Sequence, residues 1–242
     1  MKQTHQPLFR VISSVFVLGL LFALWGSTYK PVQAAVNCSA PGIVCVYDPI
    51  TTNTTWTPGH IYVVLESLTI ESGATLTIEG GNSTDRTIVK MELGTYIEAV
   101  GSLVVTSSGG GSHEVLITSL RNDEIGGDTN GDSNNTTAAP GDWDSIIIYN
   151  STSSIDRAAI SFSSRGIVVW NETVLEVSPD ITNSLFTQNT YGITLVNRYS
   201  GGGDIASEIR GNSFVSNEYG LITMHYGSTA TGSARPQLLG NS

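Results

Sequence analysis

Residues 155–171 align without a gap onto residues 181–197 at an offset of 26, and that second stretch aligns onto 209–225 at an offset of 28. A further copy opens at Leu238, 29 residues after Ile209. The columns are chemically coherent: Ile155, Ile181, Ile209 and Leu238 fall together, as do Ile160, Phe186 and Phe214, and Ile167, Ile193 and Leu221. Gly166, Gly192 and Gly220 form another column, and Asn189 and Asn217 share a turn column with Ser163. A solenoid requires superposable columns at a near-constant offset; a β-sandwich does not. A period of this size fits three short strands per coil, with coils stacked at about 4.8 Å and like side chains superposed inside. The glycine column marks a tight corner, where a missing Cβ either relieves crowding or permits a positive φ.

The rest of the chain agrees. Apolar residues are nowhere sustained at helical spacing after the first segment. Short β-rich runs recur instead, at Ile61–Leu65, Thr75–Ile78, Ile88–Leu93, Leu103–Thr106, Val115–Thr118, Ile146–Tyr149, Ile167–Trp170, Ile193–Val196 and Leu221–Met224. Gly, Asn, Ser and Asp lie between them, as turns demand. Loops swell at fixed places, Tyr199–Ala206 and Gly227–Ala234, so one side of the solenoid carries the insertions. The last copy stops at Gly240-Asn241-Ser242 with no polar cap over its apolar end, so the sequence reads as C-terminally incomplete.

The first residues set the compartment. Lys2 and Arg10 precede an apolar run from Val11 to Trp25, and Val32-Gln33-Ala34-Ala35 supplies a small-residue exit. The run falls short of the ~20 apolar residues of a membrane span, and the three parts together describe a signal peptide over 1–34, cut after Ala34, against the alternative of an uncleaved N-terminal anchor. Cleavage removes three of the 11 basic residues and none of the 21 acidic ones, leaving a net charge of −13. That surface repels nucleic acid and anionic membranes, and no membrane span is expected in the mature chain. Cys38 and Cys45 are the only cysteines. In an exported chain they are expected to pair, within an N-terminal cap region over 35–60. Coils are expected over 61–242, with a long acidic loop at 121–144.

Trp56-Thr57-Pro58-Gly59, the run from Leu68 to Glu79, and Ile88-Val89-Lys90 resemble the opening of a family of bacterial secreted and cell-surface β-helix proteins. So does a later block: Ile117 to Leu120, Gly126-Gly127-Asp128-Thr129-Asn130-Gly131-Asp132, and Pro140-Gly141-Asp142-Trp143. Residues 155–242 resemble the generic repeat of pectate-lyase-like proteins. The resemblance implies an all-β, right-handed parallel β-helix. It implies little about activity, because this fold carries lyases, hydrolases, adhesins and inert stalks. The chain has Asp144-Ser145 where the family has Gly-Gly.

Three constellations could carry chemistry. Asp128, Asn130, Asp132 and Asn134 place oxygen ligands at alternate positions, as the first half of an EF-hand-type calcium loop does. Ser133 and Ala139 stand where such a loop has its glycine and its last carboxylate, so Asp123, Asp142 or Asp144 would have to complete the shell. The alternative is a solvated acidic turn. Asp180 and Glu208 share a column and form a weak candidate acid/base pair, against the reading of two turn residues in water. If Ile167 and Val169 point inward, alternation turns Trp170, Val196 and Met224 outward. Beside them run Asn171, Asn197 and His225, then Glu172, Arg198 and Tyr226, a ledge suited to sugar or else an apolar strip under loops.

No Gly-x-Ser-x-Gly, His-Glu-x-x-His or phosphate-loop motif occurs, and His60, His113 and His225 lie far apart. The sequence therefore reads as a non-catalytic secreted or cell-surface module for adhesion or glycan contact, its loop stiffened by calcium. The alternatives are a fragment of a polysaccharide lyase or glycoside hydrolase whose active coils lie beyond Ser242, and a structural stalk.

Overall fold

The computed structural model describes residues 35–107, 113–198, 203–226 and 233–242. The expected signal peptide over 1–34 lies outside the described residues, as do parts of the two swollen loops. The described residues hold strands and turns and no helix, so none is long and apolar enough to cross a membrane.

Two strands open the fold, β1 (Ile43–Val46) and β2 (Thr54–Trp56). Cys45 of β1 is joined to Cys38 by a disulfide with the Cα atoms 5.5 Å apart. The next coils are β3 (Ile61–Val64), β4 (Leu68–Ile70) and β5 (Thr75–Gly80), then β6 (Thr87–Met91), β7 (Ile97–Ala99) and β8 (Ser102–Ser107). They are followed by β9 (Val115–Ser119), β10 (Trp143–Ile148) and β11 (Ser154–Asp156), the coil that carries the long loop. The repeat region supplies β12 (Ala158–Ser161), β13 (Ser163–Asn171) and β14 (Asp180–Thr182), then β15 (Leu185–Thr187), β16 (Tyr191–Asn197) and β17 (Glu208–Arg210). The series closes with β18 (Ser213–Val215), β19 (Tyr219–His225) and β20 (Gln237–Leu239).

From β2 onward every third strand joins the same sheet, and β1 pairs with β3. Sheet A is β1-β3-β6-β9-β12-β15-β18, sheet B is β4-β7-β10-β13-β16-β19, and sheet C is β2-β5-β8-β11-β14-β17-β20. All pairings are parallel, an arrangement compatible with a β-helix solenoid. The columns read from the repeat are neighbours across the ladders: Ile155, Ile181, Ile209 and Leu238 in sheet C, Ile160, Phe186 and Phe214 in sheet A, and Ile167, Ile193 and Leu221 in sheet B. The Phe186 and Phe214 rings stack with centroids 5.2 Å apart. Each of these side chains fully withdrawn from water contributes about 1.5–3 kcal/mol.

The glycine column resolves in favour of crowding. A Cβ on Gly192 would stand 2.5 Å from the Gly220 carbonyl oxygen and 2.8 Å from the Phe214 ring, and Gly166 meets Gly192 and Phe186 in the same way. The corners use a different device. Asn189 Oδ1 accepts the Ser163 amide at 2.9 Å while its Nδ2 donates to the Ile160 carbonyl at 3.0 Å, and Asn217 repeats both bonds one coil on. A second ladder runs through Asn212 and Asn241, which accept the Ser184 and Asn212 amides. Each ladder follows a column of left-handed residues: Phe162, Gln188 and Ser216 before one, Arg157, Asn183, Gly211 and Gly240 before the other. A left-handed non-glycine residue costs about 1–2 kcal/mol, which the corner hydrogen bonds offset.

Candidate functional site

The outer face of sheet B carries an arginine held between two aromatic rings. The in-register pairing of β13, β16 and β19 aligns Trp170, Val196 and Met224 in one column. Two residues further on, the Arg198 guanidinium lies 5.3 Å from the centroid of Trp170 and 5.7 Å from that of Tyr226. Glu172 ties the group together, accepting from the Trp170 indole N–H at 2.6 Å and lying 3.9 Å from Arg198. Tyr226 is 52% exposed, so the stack faces solvent. Such cation–π contacts are worth about 0.5–1 kcal/mol each at exposed sites; they orient flat surfaces more than they stabilise the fold.

Two of the expected ledge residues are elsewhere. Asn171 and Asn197 are fully buried. Asn171 Nδ2 donates to the Leu175 and Asp204 carbonyls and its Oδ1 accepts the Thr173 amide; Asn197 Nδ2 donates to the Gly203 carbonyl at 2.8 Å. The reason is strand alternation: with Trp170 and Val196 outward, their immediate successors face the other way and close the corner. His225 follows them in register but is exposed.

Sheet B also offers aromatic groups that the sequence reading passed over. Tyr191 and Tyr219 stack at 4.9 Å at the opposite end of the same strands, in register with Arg165. Five residues separate Tyr191 from Val196, so the two aromatic rows stand about 16 Å apart along the strand. The Tyr149 phenol is pushed up to about 12, by burial first and then by the charge of Glu98, so it stays a neutral donor at physiological pH. Aligning Ile146–Tyr149 with Ile167–Trp170 would have put Tyr149 in the tryptophan column.

The loop between β9 and β10 lies across sheet A. Gly126 packs so closely that a Cβ there would meet Ile61, Ile88 and Lys90 at 3.0, 3.3 and 3.4 Å. Lys90 is fully buried beneath it and its ammonium donates to the Gly127 carbonyl at 2.6 Å. Burial lowers this lysine from 10.5 to about 8, while the charges of Asp123 and Asp128 pull the other way. Asp128 accepts the Asp132 and Ser133 amides; Asp132 accepts from Asn130, the Asn135 and Thr136 amides and the Thr136 hydroxyl. These bonds, the hydroxyl first, lower the Asp132 carboxyl, whereas burial and then Asp128 raise that of Asp123.

The carboxylates of Asp123, Asp128 and Asp132 offer oxygens within 4.8 Å of one another. Oxygens sharing one calcium at about 2.3–2.6 Å satisfy that spacing. Asn130 is buried beside them, and its Oδ1 has no hydrogen-bond partner. The residues present therefore fit a hard cation. Asn134 is exposed in a left-handed conformation (φ 63°). Asp142 is committed to Ser119 at 2.6 Å and Arg121 at 3.5 Å, and of the three residues offered to complete the shell only Asp123 belongs to the group.

Asp180 and Glu208 fall in the column expected from the repeat, but Asp180 is exposed and Glu208 pairs with Arg210 at 2.5 Å. An open face with one carboxylate already paired gives no acid/base couple. No family model, curated protein or solved structure matches the chain.

Proposed function

We propose that this chain is a non-catalytic, secreted or cell-surface module that contacts glycan through the outer face of sheet B. In this reading the three sheets form a right-handed, pectate-lyase-like β-helix, the hand that parallel crossovers adopt almost without exception. The observation that carries the proposal is the Arg198 guanidinium between Trp170 and Tyr226. Indole and phenol rings offer a sugar its flat apolar face, and Glu172 and Arg198 offer its hydroxyls charged partners. The tyrosine pair at the other end of the strands gives a second stacking platform for a chain running along them. Calcium at Asp123, Asp128, Asp132 and Asn130 would stiffen the loop on sheet A, away from this face; it supplies no step of recognition.

The test is a glycan array with a thermal melt, run on the parent and on Trp170→Ala. Glycan retention should be lost while stability falls by about 1 kcal/mol, the scale of an exposed cation–π pair. A fall of about 3–5 kcal/mol, the cost of emptying a buried tryptophan site, with unchanged retention would retire the ledge and leave a structural stalk as the better reading.

A further inference from the structure

A groove of about 390 Å³ opens on the outer face of sheet A. Its floor is one outward column, Leu116, Ala159 and Leu185, on three successive strands, and Ile125 of the acidic loop forms a wall. Three strands at about 4.8 Å spacing make that apolar floor about 10 Å long. Arg86 and His113 line the groove with them.

Arg86 is the anomaly. In a chain of net charge −10, Arg121, Arg157, Arg198, Arg210 and Arg235 each have a carboxylate within 4.0 Å. Arg86 and Arg165 have none among the described residues, and of these two only Arg86 has an Nε buried without a hydrogen-bond partner. A desolvated cationic donor left unmade is costly, and a guanidinium is shaped for two-point contact with a carboxylate or a similar oxyanion. His113 beside it is half-buried; burial lowers its pKa first, the Asn183 backbone opposes that, and the Arg86 charge lowers it further. At neutral pH it is an uncharged imidazole that can donate to or accept from a bound ligand.

We propose that this groove is a binding site for a carboxylate-headed ligand with a compact apolar body. The carboxylate completes the hydrogen bonding of Arg86 and the body covers Leu116, Ala159 and Leu185. The site is on a different sheet from the aromatic ledge and does not depend on it.

The experiment is an NMR titration of the full chain with 3-phenylpropionate, its uncharged amide, and sulfate, following the Arg86 Nε–H and the His113 ring. The acid should shift both signals saturably. Binding should weaken about tenfold or more for the amide and for Arg86→Gln, the scale of a lost charged hydrogen bond. Arg86→Lys, which keeps the charge but loses the fork, should also weaken it and serves where Arg86→Gln fails to fold. Leu185→Asn should weaken the acid and leave sulfate unchanged. Two results overturn the proposal: no saturable shift up to the solubility of the acid, or equal responses to acid, amide and Arg86→Gln. Sulfate binding as tight as the acid, with no effect of Leu185→Asn, would overturn it too by reducing the groove to an anion site.

Discussion

Gly192 and Gly220 occupy one column on adjacent coils, yet substituting alanine should have very different effects. At Gly192 the new methyl would sit 2.5 Å from the Gly220 carbonyl oxygen and 2.8 and 2.9 Å from two Phe214 ring carbons. A backbone carbonyl cannot rotate out of the way, and the ring is stacked on Phe186. One coil or the other must move. Overpacking of this kind costs typically 1–3 kcal/mol, and with backbone on one side the expectation is about 3. At Gly220 the nearest atom to the methyl is Phe214 Cγ at 3.4 Å, an ordinary contact. Replacing glycine inside a strand also relieves about 0.5–1 kcal/mol of entropy, so Gly220→Ala should be neutral or slightly stabilising. The assay is urea unfolding followed by far-ultraviolet circular dichroism and by the buried Trp143, compared by midpoint because coils need not unfold as one unit. Truncating the ring in Gly192→Ala/Phe214→Ala should give less than the sum of the single losses, since one clash is then removed. Equal midpoints for the two alanine variants would refute coil-on-coil crowding as the reason for the column.

Asn189→Asp keeps the acceptors for Ser163 but loses the donors to Ile160 and Asn217 and buries a carboxyl, so it should cost about 3 kcal/mol or more at neutral pH. Burial raises that carboxyl in the folded state, so the folded chain holds its proton more tightly; the deficit should shrink on acidification toward pH ~4, read from melts of variant and parent. Lys90 is the single lysine of residues 35–242. Its folded pKa of about 8 lies below the ordinary 10.5, so between these values the unfolded chain binds more protons and stability should rise with pH, by up to about 3 kcal/mol. Lys90→Met should abolish the rise between pH 8 and 10; the raised Tyr149 phenol opposes it only above about 10.

The coils from β12 onward were legible because a solenoid repeats its chemistry: Ile stacks on Ile, Phe on Phe, Asn on Asn. The earlier coils obey the same register, for instance Ile61 beside Ile88 and Leu68 beside Ile97, but their spacings differ from sheet to sheet and hide a gapless alignment. The left-handed columns were not legible at all. Arg157, Asn183, Gly211 and Gly240 share a backbone conformation and no side-chain property. What they share is their successor, a Ser or Asn that bonds a neighbouring coil in three of the four.

The sites divide along the same line. Alternation put Trp170 outward correctly, but extending the ledge to Asn171 and Asn197 ignored that alternation reverses at the next residue. Arg86 carries no motif; its meaning is the absence of a partner in space, which a sequence does not record. The acidic loop shows both effects together. Alternate spacing singled out Asp128 and Asp132, whereas Lys90, bonded 37 residues away to Gly127, reaches the group only through the fold. Its presence changes the electrostatics of the loop. Three clustered carboxylates, two of which act on the Lys90 ammonium, leave two negative charges with it, which a divalent cation would balance. The lysine also opposes that cation, because two positive charges then share one cluster and the buried ammonium is the one already desolvated. Lys90→Met should therefore strengthen calcium binding, measured by calorimetry at pH 7, if the loop takes calcium. A loop that binds no calcium with or without Lys90 is one in which internal hydrogen bonds and the ammonium already satisfy the carboxylates.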